Sequence, residues 1–210
     1  MATCVIWTVK GGSGVSTVAA GAAIGAARSG GALLVDLCGD QPALLGLHDR
    51  TGPGLAEWCR ARDPRDDSLR RLERRASDGL DVLTAGDLPL PVAESWPPVA
   101  GALGSDPRSV VVDAGVVPTG PETGDARSIL VVRSCYLALR RLVDVTHRPH
   151  GVVLVGEPGR ALDRRDVERI AGAPVLAAPS VDAAIARRID AGLILRRPPT
   201  ALLAACRRIW

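Results

Sequence analysis

The stretch Thr3-Cys4-Val5-Ile6-Trp7-Thr8-Val9-Lys10-Gly11-Gly12-Ser13-Gly14-Val15-Ser16-Thr17 decides how the rest of the chain is read. Thr3 to Val9 is short, apolar and β-branched, as a buried strand requires. From Val15 to Ser29 the residues are mostly Ala, Val and Ile with no proline, which predicts a helix. A glycine-rich turn joins the two. In such a strand–turn–helix unit the backbone N–H groups, here those of Gly11 to Ser16, converge on an anion at the positive end of the helix. Lys10, at the mouth of the turn, is the only lysine; the rest of the 26 basic residues are arginine.

In the usual phosphate loop, G-x-x-x-x-G-K-[ST], a lysine follows the last glycine and neutralises the β- and γ-phosphates. Here that position is Val15. Its isopropyl group either faces the phosphates or turns away, and in both cases a positive charge is missing. Lys10 is then the only lysine able to compensate. Ser16 stands where a hydroxyl binds Mg²⁺, and Thr17 supports the first helical turn. The plainer alternative is a glycine turn that opens a helix, with Lys10 solvated.

Lys10-Gly11-Gly12-x-Gly14-x-Ser16-Thr17 resembles the deviant Walker A loop, KGGxGK[ST]T, of the chromosome-partitioning and Min-type (ParA/MinD-like) ATPases. The resemblance implies a leading lysine that reaches across an ATP-sandwich dimer. It implies a nucleotide set of Lys10, Gly11, Gly12, Ser13, Gly14, Val15, Ser16 and Thr17. The departure falls on Val15.

Further segments extend the resemblance. Ala32 to Leu37 reads as a strand ending in Asp36, followed by Cys38-Gly39-Asp40. In the family this place reads D-x-D-P-x-G. Asp36 matches the first aspartate, Cys38 falls on the second, which positions the attacking water, and Asp40 substitutes only if the loop is re-routed. Ser109 to Asp113 has the form of a Walker B strand, with Asp113 holding Mg²⁺ through water; the alternative is an aspartate that merely begins a loop. Strands are predicted over Ser128 to Val132 and Gly151 to Val155, with a helix from Tyr136 to Thr146 between them. Pro174 to Asp182 leads into a helix carrying Val181, Ile185 and Ile189, which ends at Ala191-Gly192-Leu193. Gly156-Glu157 stands where many relatives carry an adenine-reading asparagine. Val35-Asp36-x-x-Gly39-Asp40, the Gly52 to Trp58 stretch and the end from Pro174 are most similar to the septum site-determining (Ssd-like) and pilus-assembly localisation (CpaE- and TadZ-like) branch.

A length of 210 residues predicts one P-loop NTPase-like domain over 1–210. Alternating strands and helices predict an α/β, doubly wound, mainly parallel sheet covered on both faces. Arg60 to Asp78 reads as exposed helix and loop, and Pro89 to Pro98 and Pro118 to Gly124 as connections. The net charge is +3, with arginines in pairs such as Arg70-Arg71 and Arg187-Arg188. Alternating signs near Arg70 and few aromatic residues favour solvated surface over a DNA footprint. Five cysteines without a C-x-x-C pair point to a reducing cytoplasm, with Cys4 and Cys135 in the core. His48, His147 and His150 are scattered, which argues against a histidine metal site. No apolar run reaches a membrane span. Thr200 to Trp210 reads as a final helix packed on the sheet, the alternative being peripheral membrane contact.

Together these readings imply a spatial regulator or localisation factor for septum placement or pilus and secretion assembly. ATP and Mg²⁺ binding would be weak or absent, and hydrolysis likewise. The alternative is an active or nucleotide-switched partitioning ATPase. The candidate catalytic residues are Lys10, Asp36 and Asp40, and the Mg²⁺ set is Ser16, Asp36 and Asp113. The implied partners are a second copy of the chain and a protein of the pilus, secretion or cell-division machinery.

Overall fold

The computed structural model describes residues 2–47, 52–90 and 92–210, and for 92–95 the backbone alone. The elements, in chain order, are β1 (Thr3–Thr8), α1 (Val15–Ala27), β2 (Ala32–Asp36), α2 (Gln41–Leu45), α3 (Leu55–Cys59), α4 (Asp66–Arg70), β3 (Arg74–Ser77), β4 (Leu80–Leu83) and α5 (Val92–Leu103). There follow β5 (Ser109–Val116), β6 (Arg127–Arg133), α6 (Tyr136–Leu142), β7 (Gly151–Val155), α7 (Arg164–Ala171), β8 (Val175–Ala177), α8 (Ala183–Asp190) and α9 (Thr200–Cys206). The strands form one sheet in the order β3-β4-β2-β5-β1-β6-β7-β8. All neighbours are parallel except the β3–β4 pair.

Successive side chains of a strand face opposite sides, and the core divides accordingly. Val5, Trp7, Leu33 and Val35 enter one cluster, with α3, α5, α6 and α7 packed over it. Cys4, Ile6, Ala32 and Leu34 enter the other, beneath α1 and α9. Both faces of the central strands are therefore buried, which is why they read as continuous apolar runs. Helix α9 lies on α1 at Gly21, where a Cβ would stand 2.7 Å from Leu202 Cγ and 2.9 Å from Cys206 Sγ. Leu202, Leu203, Cys206 and Ile209 are buried there. The apolar face of Thr200 to Trp210 is thus spent on packing.

Four expectations are corrected. Arg60 to Asp78, expected as helix and loop, contains the edge strand β3, and β4 follows it. Pro89 to Pro98, expected as a connection, runs into α5, which holds Pro97 and Pro98 inside the helix. Burial of Trp96, Val99 and Leu103 in the first cluster outweighs the local cost of the prolines. The helix expected to reach Thr146 ends at Leu142. Cys135, expected in the core, is only half-buried and precedes α6. His48 lies outside the described residues.

Candidate functional site

The end of β1 sets the loop. The Thr8 hydroxyl donates to the Lys10 carbonyl at 3.3 Å, and the Ser13 hydroxyl donates to the same oxygen at 2.7 Å. Gly12 and Gly14 hold φ of 76° and 88°, a left-handed conformation that a side chain would strain. Gly14 caps α1, whose first turn carries no acidic residue, so nothing on the helix cancels its positive end. The loop therefore presents its backbone N–H groups as an anion cradle.

Val15 turns away from that cradle. It is 9% exposed and packs in the cluster under α1. Lys10 is half-buried and folds back, its Nζ 3.3 Å from the Gly11 carbonyl oxygen. A second cation approaches from β6: Arg133 donates from its guanidinium to the Gly12 carbonyl at 3.2 Å.

Behind the loop, parallel pairing of β2 with β5 sets Asp36 directly beside Asp113, both fully buried. Asp36 Oδ1 accepts from the backbone N–H of Cys38 at 3.0 Å and of Gly39 at 2.8 Å, and its Oδ2 accepts from that of Gln41 at 3.1 Å. Asp113 Oδ1 accepts from the Gly115 N–H at 3.2 Å, and Oδ2 accepts from Gln41 Nε2 at 2.7 Å. The Ser16 side chain faces Asp113 and offsets part of the rise in its pKa. Gln41 Nε2 donates again, to the Ser16 carbonyl at 3.0 Å, so one amide ties the first turn of α1 to the end of β5. Sequence reasoning passed over this glutamine. Its role depends on a contact 72 residues away, and no local pattern marks it.

No basic side chain among the described residues forms an ion pair with Asp36 or Asp113. Burial, and then the facing Asp113, push Asp36 up to about 6. Burial likewise raises Asp113 above the usual carboxylate range. The buried Gln41 Oε1 has no hydrogen-bond partner among the described residues. Two uncompensated carboxylates, a serine hydroxyl and an orphaned amide oxygen form a hard-oxygen donor set that suits Mg²⁺.

Cys38 takes the place next to them. Its Sγ lies 3.8 Å from Asp113 Oδ1 and 3.5 Å from the Asp113 carbonyl. The donor atoms of Asp36, Cys38 and Asp113 all lie within 4.8 Å of one another. Gly115, at φ 62°, makes the room: Ile6 pairs with Asp113 and Trp7 with Gly115, so Ala114 bulges out, and a Cβ on Gly115 would collide with the sulfur. Cys38 is exposed as a residue, but partial desolvation of its sulfur and the neighbouring aspartates push the thiol up, so it stays protonated. Asp40 does not join this group; it stays exposed as the residue before α2.

Beside the loop a cleft of about 230 Å³, mainly apolar, opens between Gly14, Thr17, Arg133, Pro179, Val181 and Ile185. Glu157, just beyond β7, pairs with Arg133 and also accepts from Arg160 Nε at 2.7 Å.

Several solved structures share this architecture. A ParA family ATPase from Chlorobium tepidum TLS is 17% identical, with 98% of this chain and 96% of that one covered and a TM-score of 0.75. A chain of the MinC:MinD cell division protein complex of Aquifex aeolicus is 20% identical, with 100% and 95% covered and a TM-score of 0.76. The septum site-determining protein MinD from Pyrococcus horikoshii OT3, complexed with Mg-ADP, is 16% identical, with 99% and 93% covered and a TM-score of 0.73. No protein-family model and no curated protein matches the sequence. The chain has the fold of the ParA/MinD P-loop ATPases: a mostly parallel eight-stranded sheet, among the described residues, flanked by helices.

Proposed function

We propose that residues 1–210 form one ParA/MinD-like domain that binds nucleotide as a switch, hydrolyses it weakly or not at all, and serves as a spatial regulator or localisation factor. One observation carries this reading: Val15 is sunk in the core at the lysine position, while the rest of the cradle is kept. Cys38 adds to it. A protonated thiol does not accept a proton from water as a carboxylate does, so the attacking water loses its orienting base. Each such loss commonly costs orders of magnitude in rate.

Ser16, Asp36 and Asp113 would hold Mg²⁺, which supplies charge neutralisation for the phosphates of a bound nucleotide. Gln41 keeps Asp113 and the first turn of α1 in register. The glycine loop grips phosphate, and the cleft beside it receives the apolar part of the ligand. The partner surface lies on the same end of the sheet, where Tyr136 and Leu137 are 69% and 59% exposed next to the loop-facing end of β6. A second copy, with Lys10 reaching across, and a protein of the pilus, secretion or division machinery are the partners this reading implies. The domain works in the cytoplasm or at its membrane edge or cell pole. Among the described residues no helix is long and apolar enough to cross a membrane.

Calorimetric titration with Mg·ATP and Mg·ADP, paired with phosphate release, tests the reading. The native chain is expected to bind and to release phosphate at background rate. Val15→Lys binds about tenfold more tightly, and only Val15→Lys with Cys38→Asp turns over. Native turnover equal to that of the double variant would overturn the proposal.

A further inference from the structure

The cradle lacks the lysine that normally accompanies it, yet three charged side chains meet at its rim. Arg133 is the last residue of β6, and β6 is the parallel neighbour of β1, so its side chain emerges level with the loop. One guanidinium nitrogen donates to the Gly12 carbonyl at 3.2 Å, another pairs with Glu157, and Nε is buried with no partner among the described residues. Glu157 is shared, because Arg160 holds its other side at 2.7 Å. Two arginines thus divide one carboxylate at the mouth of the cleft that Arg133 lines with Gly12, Gly14, Thr17 and Asp182.

We propose that Arg133 is the cation that meets bound phosphate in place of the missing loop lysine, and that Glu157 holds it in waiting until a polyanion displaces the carboxylate. The proposal rests on the nucleotide reading above. Among the described residues the other candidates serve less well: Val15 is apolar and buried, and Lys10 caps its own loop. An arginine stays charged at every physiological pH and offers a planar fork that fits phosphate oxygens in pairs. Its present partner on the loop is a neutral carbonyl, weaker than a charged oxygen, so a phosphate beside Gly12 gains by taking its place. The carboxylate sets the selectivity. A ligand must outcompete Glu157, which a nucleoside di- or triphosphate does and an uncharged nucleoside does not. The ligand class is therefore a nucleoside polyphosphate, recognised first through its charge.

Titration of Mg·ATP into the native chain, Arg133→Ala, Arg133→Lys and Glu157→Gln tests this, at low and at high salt. Arg133→Ala should weaken ATP binding about 10- to 100-fold and flatten its salt dependence, while Arg133→Lys recovers part of the loss. Glu157→Gln should tighten binding severalfold, since the arginine is freed; a purely structural ion pair would not give that gain. The melting temperature of each variant shows whether the fold is intact. If the native chain binds ATP and Arg133→Ala binds it equally well, Arg133 is not the surrogate, and the nucleotide reading survives. If the native chain fails to bind but Val15→Lys binds, the loop is sound and Arg133 supplies no useful charge. If neither binds, both proposals fall.

Discussion

At the scale of single residues, Val15 and Cys38 stand at the site in different environments. Val15 is accommodated by turning into the apolar cluster beneath α1, so a lysine there must extend its stem back out toward the cradle. Cys38 instead occupies a position between two carboxylates, and its neutrality matters for the unliganded protein. Asp36 is pushed up to about 6 because it is buried and faces Asp113, so its ionisation at neutral pH comes at a cost to stability. Cys38→Asp would add a third carboxylate to this group. Its folded state should lose about 1–3 kcal/mol in the absence of divalent ions, from one to two pKa units of like-charge repulsion. Mg²⁺ should restore most of the loss, which thermal melts with chelator and with Mg²⁺ would read. An equal loss under both conditions would mean that the three donors do not share an ion. The strands that carry Asp36 and Asp113, and the glycine turn after β1, were legible from the sequence because the strands are written as apolar runs. Gln41, Arg133 and Glu157 were not, since their roles arise only when strands distant in the chain are set side by side.

At the scale of elements, local pattern and tertiary context part company at particular places. β1 and α1 are written in their own residues: an apolar β-branched run, then an alanine-rich one. β3 carries Arg74-Arg75-Ala76-Ser77 and alternates half-buried with exposed positions at the sheet edge, so nothing in its composition signals a strand. α5 runs through two prolines because the core covers its apolar side. The segment that joins α6 to β7 is fastened by a buried chain of bonds. Trp7 Nε1 donates to Ser128 Oγ at 2.9 Å, and that hydroxyl is hydrogen-bonded to His147 Nε2 at 2.7 Å. The Ser128 N–H donates to His150 Nδ1 at 3.0 Å. Burial, with His150 nearby, pushes His147 below its usual value. The unfolded chain therefore takes up the proton first, and the stabilisation is present above about pH 6.5 and lost as the pH falls through the depressed folded value. Urea unfolding at pH 7.5 and at 5.5 should show a weaker fold in acid, and His147→Gln should reduce the difference. Equal slopes in the two proteins would remove His147 from the account.

At the scale of the whole molecule, every charged or polar group of the site lies at one end of the sheet. Lys10 follows β1, Asp36 closes β2, Asp113 lies in the last half of β5, Arg133 closes β6 and Glu157 follows β7. Open parallel sheets place their ligand sites at this carboxyl end, where the strands stop and the loops can vary. The opposite end is fastened instead. Arg108 pairs with Glu73 at 2.7 Å, Asp81 at 2.8 Å and Asp106 at 2.7 Å, which joins the strands that sequence reasoning missed to the start of β5. A molecule with one anchored end and one reactive end suits face-to-face association across the reactive one. Light scattering of the native chain with Mg·ATP should show a dimer that is absent without nucleotide. Lys10→Ala should lower that dimer at least tenfold while ATP still binds; an unchanged dimer would separate Lys10 from the interface.

Because the chain holds a single lysine, a protease that cuts only after lysine has one bond to attack, Lys10-Gly11, at the lip of the phosphate cradle. The native sequence therefore carries its own footprinting reagent: the rate of that one cut, followed on a gel without label or substitution, reports whether the loop is open, filled or covered by another molecule.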